Sequence, residues 1–133
     1  MARVHDILGY EVLATLGHGA RSTIFAVKDK DDQVFALKRV IKRGPEDQRF
    51  LDQAILEHEV ANSLDHPSLR RSYKLIRRRA VLRTSEVLVL MEMVDGYTME
   101  QYQVRSMAEL CKLFQRVAAG LEVMHEHDFI HAD

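Results

Sequence analysis

Two hydrophobic rhythms divide the chain. Residues 10–16, 23–28 and 34–41 read as alternating or continuous apolar runs rich in Val, Ile, Phe and Thr, which predicts strands near 9–17, 22–29 and 33–42. Phe50, Ala54, Glu57, Ala61 and Leu64 fall at steps of four and three, one stripe of a helix, here expected over 46–64. Gly44-Pro45 marks its entry, and Asp65-His66-Pro67 its end, because proline cannot continue the hydrogen-bond ladder. Strands follow near 72–78 and 86–93. The run 87–94 is apolar except for Glu92, as expected of a strand covered on both faces. After Asp95-Gly96 a short helix is expected over 98–103. A longer one over 107–127 is expected to bury Leu110, Leu113, Phe114, Val117, Leu121 and Met124.

Two charges violate this pattern. Glu57 is the only polar member of its stripe, so its carboxylate is expected on the buried face. Lys38 closes an inward alternation, Val34, Ala36, Lys38. An unpaired buried charge costs several kcal/mol, about 3–5 when a partner is lost, so opposite charges in adjacent elements are expected to meet. Such a pair adds little stability but fixes an ammonium in place. Glu59, two positions from Glu57, lies off the stripe and reads as a solvent-facing charge.

Upstream, Gly17-His18-Gly19-Ala20-Arg21-Ser22 joins the first two strands. Glycines in such a turn let backbone N–H groups approach a phosphate with no Cβ in the way. Between a strand and a helix the same pattern would suggest a dinucleotide fold, and here the context is a hairpin. On these residues alone, an ordinary hairpin loop explains the glycines equally well.

Composition narrows the class. At 133 residues, 47% hydrophobic and 29% charged, the chain can bury one core, and its net charge of −1 gives no global attraction to nucleic acid or anionic membrane. The single cysteine, Cys111, excludes an internal disulfide and suits a reducing compartment; on an apolar helical stretch it is expected as a buried, inert thiol. No apolar run has the length of a membrane span, and a cytoplasmic location is expected.

Taken in order, Gly17-x-Gly19-x-x-Ser22-x-Ile24, Phe35-Ala36-Leu37-Lys38, Glu57, Asp65-His66-Pro67, the segment 88–96 and the segment ending His131-Ala132-Asp133 resemble the eukaryotic-type serine/threonine protein kinases. Glu57 follows Lys38 by nineteen positions, which suits that family's third strand and following helix. The resemblance runs from about Tyr10 to the last residue. It implies an α+β fold: a kinase small lobe over 1–94, with a five-stranded antiparallel sheet and one long helix, then a hinge and the first helices of the large lobe over 95–133.

The resemblance also implies roles. Leu16, Ile24 and Ala36 would roof the adenine of ATP, and Met91 would close the back of the pocket. The backbone carbonyl of Glu92 and the backbone amide of Val94 would meet the adenine edge. Gly17, Gly19 and Ser22 would cover the phosphates, with Lys38 on the α and β phosphates and Glu57 orienting it. Asp133 would accept the proton of a protein Ser/Thr hydroxyl during phosphoryl transfer. The family's Mg²⁺ ligands fall after residue 133, so no metal ligand is assigned here, and the 133 residues are expected to be an inactive N-terminal portion of a kinase. The alternative is a non-catalytic nucleotide-binding or protein-interaction module. Ser22 stands for the usual third glycine. Ala132 stands for the arginine that pairs with a phosphorylated activation loop, which implies independence of that phosphorylation.

Two further clusters receive plainer readings. His125 and His127, two apart on a helix, diverge, so with His131 and Asp133 they read as helix-end charge and not as a metal site. Seven cations between Arg70 and Arg83 form a basic patch without an aromatic platform, which argues against nucleic acid and for a solvated face or a docking surface. The usual partners for the apolar face of the helix over 107–127 would lie downstream, so an exposed face, and with it self-association or marginal stability, is expected.

Overall fold

The alternating runs become a sheet with apolar side chains on both faces. The computed structural model describes residues 5–132, so Asp133 lies outside the described residues. Its elements are β1 (Asp6–Ile7), β2 (Tyr10–His18), β3 (Ser22–Lys28), β4 (Val34–Ile41), a 3-10 turn (Pro45–Asp47), α1 (Gln48–Ser63), β5 (Ser72–Ala80), β6 (Arg83–Glu92) and α2 (Met107–Glu126). The strands form one antiparallel sheet in the order β1-β2-β3-β4-β6-β5. The five long strands are those expected, and β1 adds a two-residue edge.

The two faces hold separate cores. Phe25, Val27, Leu37, Leu88 and Leu90 pack on one side with Ile7 of β1. On the other, Val40, Val87 and Val89 pack against Leu51 and Ala54 of α1. Consecutive residues 87–90 of β6 are all buried, as a doubly covered strand requires. α1 is also tied to β5: the His58 Nδ1 and Ser72 Oγ lie 2.7 Å apart, and the Asn62 side-chain amide donates to the Ser72 carbonyl at 2.9 Å.

Three expectations change. Residues 98–103 form a turn instead of a helix, with the Gln101 and Tyr102 N–H groups both donating to the Thr98 carbonyl. Val34 is exposed because it stands at the mouth of β4, before the strand enters the core. Cys111 is also exposed, because α2 turns it away from the point where the helix's one buried residue contacts the rest of the chain. That contact is Gly120, where an added Cβ would come within 3.2 Å of Ser68 and Leu69. Phe114 and Val117 stay largely exposed. The start of α2 is well fixed: the Glu109 N–H donates to the Ser106 hydroxyl at 3.1 Å, and the Glu109 carboxylate accepts the Arg105 N–H at 2.7 Å. The Tyr102 hydroxyl also donates to that carboxylate and, with Arg105, holds it below its ordinary pKa.

Candidate functional site

Strand register assembles the site. Ile24, Lys38 and Val89 lie side by side across β3, β4 and β6, and Ala26, Ala36 and Met91 form the next row. Side chains of directly paired strand residues share a face, and this is the face that α1 covers. Ala36 is fully buried and small, so the floor of the row is flat. Ala26, which no motif singled out, completes it; its signal was the register opposite Ala36, legible only once β3 and β4 are paired.

Lys38 and Glu57 meet. The Lys38 Nζ donates to Glu57 Oε2 at 2.8 Å, and the Gln53 amide donates to Glu57 Oε1 at 3.0 Å. The pair is not buried: 23% of the Lys38 side chain and 48% of the Glu57 side chain are exposed. The reason is the angle of α1. Its sheet-facing residues are Leu51, Ala54, Ile55 and His58, with Phe50 partly buried beside them, so the stripe bearing Glu57 meets the core at Phe50 and Ala54 and has left it by Glu57. From there the helix borders a groove of ≈ 1020 Å³ between α1 and α2, lined by Glu57, Ala61 and Leu64 on one side and Val117, Leu121 and Met124 on the other. Glu57 borders this groove, while Lys38 is not among the residues that line it.

Above this row hangs the glycine hairpin. Gly17 pairs with Ile24 at a register shift in β2, and an added Cβ there would meet nothing within 4 Å. The Gly19 N–H donates to the Ser22 carbonyl at 2.8 Å, closing the turn. A Cβ on Gly19 would lie 2.5 Å from the Ser22 Oγ, so the serine side chain occupies the room that Gly19 leaves. Leu16 is exposed at the end of β2.

Residues at the end of β6 continue the row. Met91 is half-buried against the α1-side core. The Glu92 carbonyl accepts the Arg70 Nε–H at 3.1 Å, and its carboxylate accepts the Arg71 N–H at 3.1 Å, which anchors the strand end. Val94 follows, exposed.

A second ion pair was not anticipated. The Arg21 Nε–H, from the glycine hairpin, donates to Asp47 Oδ1 at 2.8 Å. Asp47 is only 1% exposed, and its other oxygen accepts the Arg43 and Gly44 N–H groups at 2.9 and 3.3 Å. These donors, first the Arg43 N–H, hold the carboxyl below its ordinary pKa against the opposing effect of burial. The hairpin is thereby tied to the entry of the helix that carries Glu57. Twenty-six residues separate the partners, and no local periodicity links them.

Among the described residues no group of three or more His, Cys, Asp and Glu side chains converges on a metal position. His127 Nδ1 lies 2.8 Å from the Val123 carbonyl, closing the end of α2. No described helix is long and apolar enough to cross a membrane.

Known proteins share these features. The family described as "Protein kinase domain" matches residues 10–133. Mitogen-activated protein kinase kinase 8 of Arabidopsis thaliana is 25% identical over 129 residues, covering 96% of this chain and 38% of the plant protein. Striated muscle preferentially expressed protein kinase of Danio rerio is 29% identical over 127 residues, covering 93% of this chain and 4% of the fish protein. The chain thus spans well under half the length of these relatives. The crystal structure of the Mycobacterium tuberculosis PknI kinase domain shares the fold with a TM-score of 0.73 at 24% identity, covering 100% of this chain and 56% of that one. A family match over nearly all of the chain, in agreement with a fold assembled from the same elements, makes this protein a member of the protein kinase family.

Proposed function

We propose that this chain is the nucleotide-binding portion of an ATP-dependent protein kinase acting on Ser/Thr hydroxyls, with residues 1–94 as small lobe and 95–133 as hinge and start of the large lobe. The observation that carries this reading is the 2.8 Å contact between Glu57 and a partly exposed Lys38, which stands in the strand row beside the Ile24 that follows the glycine hairpin. A carboxylate fixes the ammonium but leaves it accessible, as a phosphate ligand must be. The open space over Gly17 lets backbone N–H groups approach an anion. Leu16, Ile24 and Met91 supply the apolar walls. The Glu92 carbonyl, with a lone pair left beside the Arg70 bond, and the Val94 amide supply the edge contacts.

In this reading Gly17, Gly19 and Ser22 cover the phosphates, Lys38 binds them, Glu57 holds Lys38, and Asp133 orients the acceptor hydroxyl. Mg²⁺ would neutralise phosphate charge when bound, through ligands outside the 133 residues. Phosphoryl transfer depends mainly on positioning and charge neutralisation, so these residues alone bind nucleotide without turning it over.

Equilibrium titration of the 133-residue chain with ATP and with adenosine tests the proposal. ATP is expected to bind at least about tenfold tighter than adenosine, and Lys38→Ala to erase that difference while leaving adenosine affinity unchanged. Equal affinities in the unaltered chain would refute the phosphate role of Lys38. Phosphotransfer by the chain is expected at background; turnover abolished by Lys38→Ala would contradict the claim of inactivity.

A further inference from the structure

The hairpin joining β5 and β6 has three unusual properties together. Ala80 pairs with Arg83, leaving Val81 and Leu82 as the turn, and their side chains are 95% and 88% exposed, the two most exposed large apolar side chains among the described residues. Val81 has φ 60°, a left-handed conformation that a β-branched residue adopts only under strain. Residues 66–85 contain seven Lys and Arg and no Asp or Glu, in a chain whose net charge is −1.

Part of that charge is accounted for locally. Arg71 pairs with Asp65, Arg78 lies 3.3 Å from Glu86, and Arg70 donates to the Glu92 carbonyl. Lys74, Arg77, Arg79 and Arg83 have no acidic partner within 4.0 Å among the described residues. β5 is a sheet edge, and cations on an edge strand discourage pairing with another chain. Edge protection explains the cations. It does not explain two bare aliphatic side chains at the tip, held there in a strained turn.

We propose that the β5–β6 hairpin is a membrane-surface contact, with Val81 and Leu82 entering the interfacial layer of an anionic bilayer and Arg77, Arg79 and Arg83 lying among its headgroups. The dimensions agree. At a rise of about 3.3 Å per residue, Arg79 and Arg83 stand one or two residues behind the tip and Arg77 about 13 Å behind it, while interfacial elements enter about 5–10 Å. The arginine stems can lie along apolar surface with their heads at headgroup level. The hollow beside the tip is small, ≈ 240 Å³ between Lys42, Arg43, Ala80 and Arg83, and neither Val81 nor Leu82 lines it, whereas a lipid surface closes around both bare side chains. This proposal is independent of the nucleotide site on the α1 face.

Sedimentation of the 133-residue chain with vesicles of phosphatidylcholine alone, or with about one-third phosphatidylserine, tests it. Binding is expected only to the anionic vesicles and should weaken with salt. Val81→Ser with Leu82→Ser is expected to lower affinity about tenfold. Neutralising Arg77, Arg79 and Arg83 to Gln should lower it about a hundredfold, near fivefold for each charge. Val81→Gly separates folding from binding: it relieves the turn, so thermal stability should hold or rise while affinity falls. The proposal is overturned if anionic vesicles leave the chain in solution or if neutral vesicles sediment it equally. It is also overturned if the tip variants bind like the parent, or if soluble polyglutamate binds the chain as tightly as the anionic vesicles do, which would identify an acidic polypeptide partner instead.

Discussion

α1 is held at two points by ion pairs of opposite character. At its entry, Asp47 is buried, with both oxygens occupied by three donors, and its partner Arg21 is 36% exposed. Nine residues into the helix from Gln48, Glu57 is half-exposed and meets Lys38, itself partly exposed. Distance does not separate them, since both contacts measure 2.8 Å. Solvent does. A buried carboxylate that loses its partners is left with a large desolvation penalty, while an exposed pair loses little because water replaces the contact. The first pair therefore belongs to the architecture, and the second is left free for the binding role proposed for it.

Substitutions can break that distinction, and the largest effect should come at the helix entry. Asp47→Ala strands the Arg43 and Gly44 N–H groups as well as Arg21, and is expected to lower the thermal midpoint by roughly 10 °C. Calorimetry or circular dichroism of the purified variant checks this, and a midpoint equal to that of the parent would place Asp47 outside the architecture. Arg21→Ala leaves both backbone donors on Asp47, so a smaller fall of about 3–5 °C is expected. Its ATP affinity should also drop, with adenosine binding preserved, because the hairpin over the phosphates is released from α1.

Acid should act on the same pair. The Asp47 carboxyl titrates below its ordinary value of 3.8 in the folded chain, so its ionised form stabilises the fold at and above that pH. The contribution is lost as the pH falls through the lower folded value. Asp47→Asn is expected to flatten the acid limb of the stability profile below pH 4 or so, near that 3.8 reference, and to leave its slope at neutral pH unchanged. The smallest change in stability is expected at the exposed pair: Lys38→Ala should shift the thermal midpoint by less than about 3 °C.

The sequence was more informative about the exposed pair than about the buried one. Glu57 stood out as the one charge in an apolar stripe, and Lys38 as the end of an alternation, so their meeting was legible before any coordinates. Their exposure was not, because periodicity gives the stripe but not the angle at which the helix sits on the sheet. Asp47 carried no signal: it lies in a 3-10 turn ahead of the periodic segment, and Arg21 is one of several polar residues in a loop. The five long strands followed from alternation, whereas β1 is too short to show a period. Residues 98–103 have helix-forming side chains but close only one turn. Cys111 was expected in a core from its apolar neighbours, yet only Gly120 of α2 is buried. Amphipathicity identifies a face that can be covered, not whether something covers it.

The central claim is that Glu57 acts on nucleotide only through Lys38. A double-mutant cycle on ATP affinity, using Lys38→Ala, Glu57→Gln and both together in the 133-residue chain, tests it most directly. The account predicts that Glu57→Gln weakens ATP binding by about threefold or more in the parent and has no further effect once Lys38 is alanine. Full additivity of the two substitutions would contradict it.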